Sequence, residues 1–222
     1  MPYGEKTKEE LLEYADKIFD FFIKKDAKAV VMACNTTSSV IYDTIKNKYS
    51  LKIYPIIQSA AGIIAKLPVN RIGVFATHAT VNSNVYKNEI QKYNPNMEVI
   101  QIACPEWVRI VEENKLNQPQ SIIHVKDKLD EMLEFNPEKI ILGCTHYPYL
   151  IDILTKFAPE SMFIDPSVHF AKFIKDDLIK NNLTEKSDGT EEIYVSSNPE
   201  AFSISAEMFY ETKNTPVLKT FD

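Results

Sequence analysis

Two of the three cysteines in this 222-residue sequence sit in matching surroundings. Cys34 closes the apolar run Ala29-Val30-Val31-Met32-Ala33 and is followed by Asn35-Thr36-Thr37. Cys144 closes Lys139-Ile140-Ile141-Leu142-Gly143 and is followed by Thr145-His146-Tyr147. Each context is an apolar strand, a small residue, the cysteine, and then polar residues leading into a helix. A cysteine between a strand end and a helix start meets backbone N–H groups, which stabilise a thiolate and are expected to lower its pKa below the usual value of about 8.5. The same N–H groups, with Asn35, Thr36 and Thr145, suit a small carboxylate. Two such thiols facing each other across a bound carbon acid supply a base on one face and an acid on the other, as stereoinversion requires. His146, two residues past Cys144, can relay protons to it or hold its protonation state. Packing alone accounts for one buried cysteine at a strand end, a common fate of free Cys. It does not account for polar residues after both.

The elements that must hold these residues alternate in type. Thr7 to Glu10 reads as a capping box, with Leu11, Tyr14, Ile18 and Phe22 following at helical spacing. Short apolar runs predict strands at 29–33, 52–56, 72–76, 98–102, 139–142 and 162–164, with 192–195 and 216–218 near the end. Helices are expected at about 37–46, 60–66, from 80 onward, and at 105–113, 121–135, 149–157, 168–180 and 200–210. Lys186-Ser187-Asp188-Gly189 reads as the clearest exposed loop. This alternation implies βαβ units and parallel sheet, and open α/β sheets bind ligands outside the carboxyl ends of their strands. Both cysteines stand at such ends, one in each half of a quasi-repeat.

Composition removes several other functions. The net charge of −6 disfavours nucleic acid as a partner, since phosphate binding needs clustered Lys and Arg. Five unclustered glycines provide neither a P-loop nor a GxGxxG fingerprint, so ATP, NAD and FAD are not expected. Three cysteines and four histidines in no paired spacing make a structural zinc site unexpected, and the odd cysteine count fits a reducing compartment. No apolar run approaches the roughly 20 residues needed to span a bilayer, and the polar start MPYGEKTKEELLEY has no signal-peptide core. A cytoplasmic location with no membrane partner is the expectation.

At the level of motifs the sequence resembles the glutamate racemases. The stretches MACNTTSS (32–39) and ILGCTHYPYL (141–150) look like that family's two cysteine signatures. Met1-Pro2-Tyr3-Gly4-Glu5-Lys6 is similar to its substrate-contacting PYG segment. Gly73 to Thr77 with Thr80-Val81-Asn82-Ser83 resembles its GTxxTVxS stretch, and Ala103 to Val108 with Val111-Glu112 resembles ACPxFV…VE. Val195 to Phe202 is similar to TTGDPExF without the glycine. The resemblance covers essentially the whole chain. It implies Cys34 and Cys144 as the acid–base pair, with His146 and Glu112 assisting. It also implies Tyr3, Gly4, Asn35, Thr36, Thr145 and His146 as substrate contacts. Thr77 and Thr80 read as polar helix-start residues or as ligand contacts, and for Thr77 the second reading is preferred. Glu112 reads equally as a solvated helix residue beside Glu113. Cys104 is read as packing, and His78, His124 and His169 as surface or capping residues.

Repeat and resemblance together predict an α/β fold of two pseudo-symmetric lobes with mainly parallel sheets flanked by helices and the active site between them. Residues 1–68 plus 176–222 form one expected lobe and 69–175 the other. The implied reaction is interconversion of L- and D-glutamate without pyridoxal phosphate or any other cofactor, supplying D-glutamate for peptidoglycan, and a homodimer is compatible with it. Family members open with a strand and a DSGxGG loop, whose Asp assists the first cysteine; this sequence begins at what resembles an internal ARMPYG stretch. Either Met1 is internal to a longer protein, or the chain is naturally short and deprotonation by Cys34 is impaired. The first is physically easier, because losing a buried strand leaves its neighbours unpaired. The alternatives are a racemase of a related acid such as aspartate, which Thr145-His146 disfavours, and a ligand-binding remnant without catalysis.

Overall fold

The computed structural model describes residues 3–185, 189–207, 209–210 and 213–221. Met1 and Pro2 of the opening segment, and Lys186, Ser187 and Asp188 of the expected loop, lie outside them. After a 3-10 turn at Tyr3–Glu5 come α1 (Lys8–Lys24), β1 (Ala29–Met32), α2 (Asn35–Val40), α3 (Tyr42–Ile45), β2 (Lys52–Pro55) and α4 (Ile56–Ile64). The chain continues with β3 (Arg71–Ala76), α5 (His78–Ser83), α6 (Val85–Tyr93), β4 (Glu98–Ala103), α7 (Glu106–Glu112), α8 (Pro119–Leu133) and β5 (Lys139–Leu142). A 3-10 turn at Tyr147–Leu150 leads to α9 (Ile151–Leu154), β6 (Phe163–Ile164) and α10 (Pro166–Lys180), followed by β7 (Tyr194–Val195), α11 (Pro199–Ala206) and β8 (Val217–Leu218).

The expected capping box starts α1. The Glu10 N–H donates to Thr7 Oγ1 at 3.2 Å, and the Thr7 N–H donates to Glu10 Oε2 at 2.9 Å. Helical spacing then buries Leu11, Ala15 and Phe19 against Val30 and Met32 of β1 and against Ile41 and Ile45. β1 runs parallel to β2, with Ala29 opposite Lys52. The larger sheet has the order β4-β3-β5-β6, parallel throughout. Its central strand β3 is buried on both faces, which explains why it reads as a continuous apolar run rather than an alternating one.

By backbone contacts the chain divides into two compact units, Met1–Asn181 and Asn182–Asp222. The first holds the β1-β2 pair and the four-stranded sheet on a shared core. Tyr54, Ile57 and Ile64 pack with Ile72, Val74, Ile141 and Phe170, so buried apolar surface runs continuously across residues 68 and 69. α10 lies on α4, where Asp177 accepts from the Tyr54 hydroxyl at 2.6 Å and pairs with Lys52. The second unit carries α11 and the parallel pair β7-β8. Asn198 caps α11 with a left-handed backbone, φ 33°, and accepts from the Ala201 N–H at 3.0 Å.

Two differences from the sequence expectation matter for chemistry. The helix expected from 37 begins at Asn35, directly after Cys34, because Cys34 stays extended while its carbonyl accepts from the Ser38 N–H at 3.0 Å. The helix expected at 149–157 is instead the 3-10 turn Tyr147–Leu150 followed by the four-residue α9. The turn closes through i→i+3 bonds, Tyr147 N–H to the Cys144 carbonyl at 3.1 Å and Tyr149 N–H to the His146 carbonyl at 3.2 Å. Among the described residues no helix is long and apolar enough to cross a membrane.

Candidate active site

Cys34 and Cys144 each follow a parallel strand, in different sheets of the first unit. Cys34 is half-buried in the N-cap position of α2, and its carbonyl also accepts from Thr37 Oγ1 at 3.0 Å. Cys34 borders an apolar groove of about 240 Å³, also lined by Tyr3, Tyr14 and Val31. A larger cleft of about 560 Å³ beside Pro148 and Phe163 holds none of the expected site residues. Of the expected site residues, Cys34 and Tyr3 line the smaller space, and Cys144 lines neither.

Cys144 is deeper, 8% exposed. Burial pushes its thiol up to about 12, and the charges of Cys34 and Glu112 add smaller upward pushes. The His146 N–H and the Thr145 hydroxyl pull the other way and are outweighed. This corrects the expectation that strand-end N–H groups would lower both thiols: at Cys144 desolvation wins. Cys144 is thus a thiol at neutral pH.

Its proton has a path. His146 Nδ1 lies 3.6 Å from the Cys144 sulfur, and His146 Nε2 lies 3.1 Å from Oε1 of Glu112 at the end of α7. The carboxylate can only accept, so Nε2 carries a hydrogen, and in the neutral ring Nδ1 faces the sulfur as an acceptor. Thr145 is exposed, with Oγ1 3.5 Å from the same Nδ1. Glu112 is therefore bonded to the site rather than merely solvated, although it is 34 residues from His146.

Other expected residues link the end of β1 to the end of β3. Thr36 Oγ1 is 3.0 Å from Thr77 Oγ1, and both residues are buried. Thr77 caps α5 by accepting from the Thr80 N–H at 3.3 Å, and Thr80 Oγ1 lies 3.1 Å from Thr77 Oγ1 and 3.5 Å from Ser39 Oγ. Thr77 thus stands at the N-cap of α5 and Thr80 in its first turn, and any ligand contact by Thr77 must share this hydroxyl network. Gly4 presses on it: a Cβ there would lie 3.0 Å from Thr77 Cβ. Tyr3 stacks on Tyr14 at 6.3 Å, and its pKa is raised, mainly by burial and then by Cys34.

Residues outside the constellation behave as packing or surface. Cys104 is fully buried, which raises its thiol pKa strongly. His78 is exposed at the start of α5, and His124 and His169 are half-buried in α8 and α10. Sequence reasoning missed Tyr86, whose hydroxyl donates to Asn35 Oδ1 at 2.7 Å. An aromatic at helical spacing carries no local mark that separates it from core.

Gly143 is needed for close approach. A Cβ would meet the Phe75 carbonyl oxygen at 2.8 Å, Tyr86 Cε2 at 2.9 Å and Val74 Cγ1 at 3.1 Å. The carbonyl belongs to β3 and cannot swing aside, so Gly143→Ala should cost about 1–3 kcal/mol as an overpacked site. A fall in the urea midpoint at unchanged m-value checks this.

The chain matches the Asp/Glu/Hydantoin racemase family over residues 3–169. It is 36% identical over 205 residues to the glutamate racemase of Trichodesmium erythraeum (strain IMS101), covering 91% of this chain and 76% of that protein. It is 34% identical over 221 residues to the glutamate racemase of Thermoanaerobacter sp. (strain X514), covering 98% and 83%. The crystal structure of glutamate racemase from Francisella tularensis subsp. tularensis SCHU S4 in complex with D-glutamate superposes with a TM-score of 0.88 at 30% identity, covering 100% of this chain and 84% of that one.

Proposed function

The chain belongs to the Asp/Glu/Hydantoin racemase family, and from that premise we propose that it interconverts L- and D-glutamate by proton transfer between Cys34 and Cys144. The observation that carries the mechanism is the line from Glu112 through His146 to the Cys144 thiol, set near a second cysteine at the end of another parallel strand.

In one direction the Cys34 thiolate takes the α-proton from one face of glutamate. The electron pair left on Cα spreads into the carboxylate, which Asn35, Thr36, Thr145 and strand-end N–H groups are suited to hold. The Cys144 thiol gives its proton to the opposite face and becomes a thiolate. The product then has inverted configuration, Cys34 is protonated and Cys144 is not. His146 returns a proton to Cys144, and its imidazolium form is stabilised by Glu112. In the other direction His146 accepts that proton and so readies a thiolate that burial would otherwise disfavour. A thiolate formed against such a high pKa is correspondingly basic, which suits abstraction from carbon. The scheme uses no cofactor, because the sulfurs carry out both transfers. Its product, D-glutamate, is a cytoplasmic precursor for peptidoglycan in this reading.

The test is proton NMR of the α-hydrogen of L- and of D-glutamate incubated with the chain in D₂O. Loss of the α-proton signal with appearance of the opposite enantiomer is the expected result. No exchange and no inversion from folded protein would rule out the reaction. Faster exchange of aspartate would move the assignment to a related acid, and binding without exchange would leave a ligand-binding chain.

A further inference from the structure

We propose that Tyr86 is a positioning residue that sets the side-chain amide of Asn35 for a ligand carboxylate, an inference that rests on the racemase reading. Tyr86 lies on α6 and is fully buried, and its hydroxyl donates to Asn35 Oδ1 at 2.7 Å, 51 positions away in sequence. This bond engages the oxygen of the amide. The nitrogen of the same amide, Nδ2, is buried without a hydrogen-bond partner, in a residue only 3% exposed. Buried amide N–H groups are ordinarily bonded. One left open on the residue directly after Cys34 is a donor held for an acceptor that arrives with the ligand, and a carboxylate oxygen is such an acceptor.

Three features give Tyr86 this role. Its hydroxyl can hold the carbonyl end of the amide, and without it either end could turn toward the ligand. Burial raises the hydroxyl's pKa strongly, with smaller pushes from Cys144 and Asp165, so it stays a donor throughout the working range of pH. Its ring edge also lies where a Cβ on Gly143 would come within 2.9 Å, so the ring rests against the residue before Cys144. One side chain therefore touches the loops of both cysteines. A phenylalanine would fill the same space and leave the amide free to turn.

The experiment is a double-mutant cycle of Tyr86→Phe and Asn35→Ala, with KM and kcat measured in both directions and folding checked by circular dichroism. Tyr86→Phe should raise KM for glutamate about tenfold, the loss of one oriented hydrogen bond, with a smaller change in kcat. In the Asn35→Ala background the same substitution should change KM by less than about twofold. An unchanged KM in folded Tyr86→Phe, or an undiminished effect without Asn35, would overturn the proposal. A second readout does not depend on turnover. The ¹H–¹⁵N side-chain signals of Asn35, assigned by their loss in Asn35→Ala, should shift on adding glutamate to the wild type, and should move or broaden in Tyr86→Phe. If the wild type shows no racemisation, the functional reading fails while these amide signals still report on the orientation. If they are indifferent to Tyr86→Phe, the positioning role fails even in an active enzyme.

Discussion

Replacing either Cys34 or Cys144 by alanine is expected to abolish racemisation in both directions, each by at least about 10²–10⁴-fold, the usual worth of a positioned acid or base. The losses should not add, because inversion needs one sulfur on each face and removing either leaves no route. A residual half-reaction should remain. In D₂O the thiol left in each variant can remove and return hydrogen on the same face, so one enantiomer should exchange its α-hydrogen with retention while the other stays inert. The two variants should reverse which enantiomer exchanges. Persistent inversion in either variant would exclude the two-thiol scheme. The difference in burial gives a companion observation on the wild type: at about pH 8, iodoacetamide should modify the half-exposed Cys34 well before Cys144, whose thiol burial has pushed up to about 12. Peptide mass mapping over time distinguishes the two sites.

Trp107→Ala should be the most destabilising single change among the packing residues considered, at about 3–5 kcal/mol. That is a large share of the about 5–15 kcal/mol that holds a typical domain together. The ring is fully buried between Phe75 of β3, centroids 4.7 Å apart, and Tyr147 of the turn after Cys144, centroids 5.0 Å apart. Its Nε1 has no hydrogen-bond partner, so the loss is one of packing and aromatic contact. Since this is the only tryptophan in the sequence, urea unfolding must be followed by far-UV circular dichroism rather than fluorescence. Trp107→Phe should recover much of the loss. Because Tyr147 meets Trp107 edge-on and its hydroxyl donates to the Cys104 carbonyl at 2.6 Å, the cavity should also loosen the turn that directly follows Cys144 and His146.

The parts of the molecule legible in sequence are those governed by short-range rules. The capping box of α1, the apolar runs of β1 and β5, and the cysteines at their ends depend on a few neighbouring residues, and each lies where local pattern placed it. The start of α2 at Asn35 is less legible, because Asn and Thr have modest helix propensity and only the extended Cys34 backbone shows that the helix begins there. The protonation state of Cys144 is a tertiary property. Its local N–H groups argue for a lowered pKa, and the burial that reverses the sign comes from the fold around it. The bond between Glu112 and His146 joins α7 to the turn after β5, and no spacing rule connects them; only the resemblance to a family suggested Glu112. Tyr86 had no such suggestion, since its hydroxyl has meaning only once α6 lies beside α2.

The unequal depth of the two sulfurs would give the reaction an isotopic memory. On the proposed two-thiol scheme, a hydrogen captured by Cys34, half-exposed, would soon be diluted into the medium, whereas one captured by Cys144, 8% exposed, would leave by way of His146. Label carried in on one enantiomer would therefore be held longer than label carried in on its mirror image. The enzyme would be even-handed at equilibrium and chiral in its traffic of hydrogen, and the depth of one thiol sets the difference.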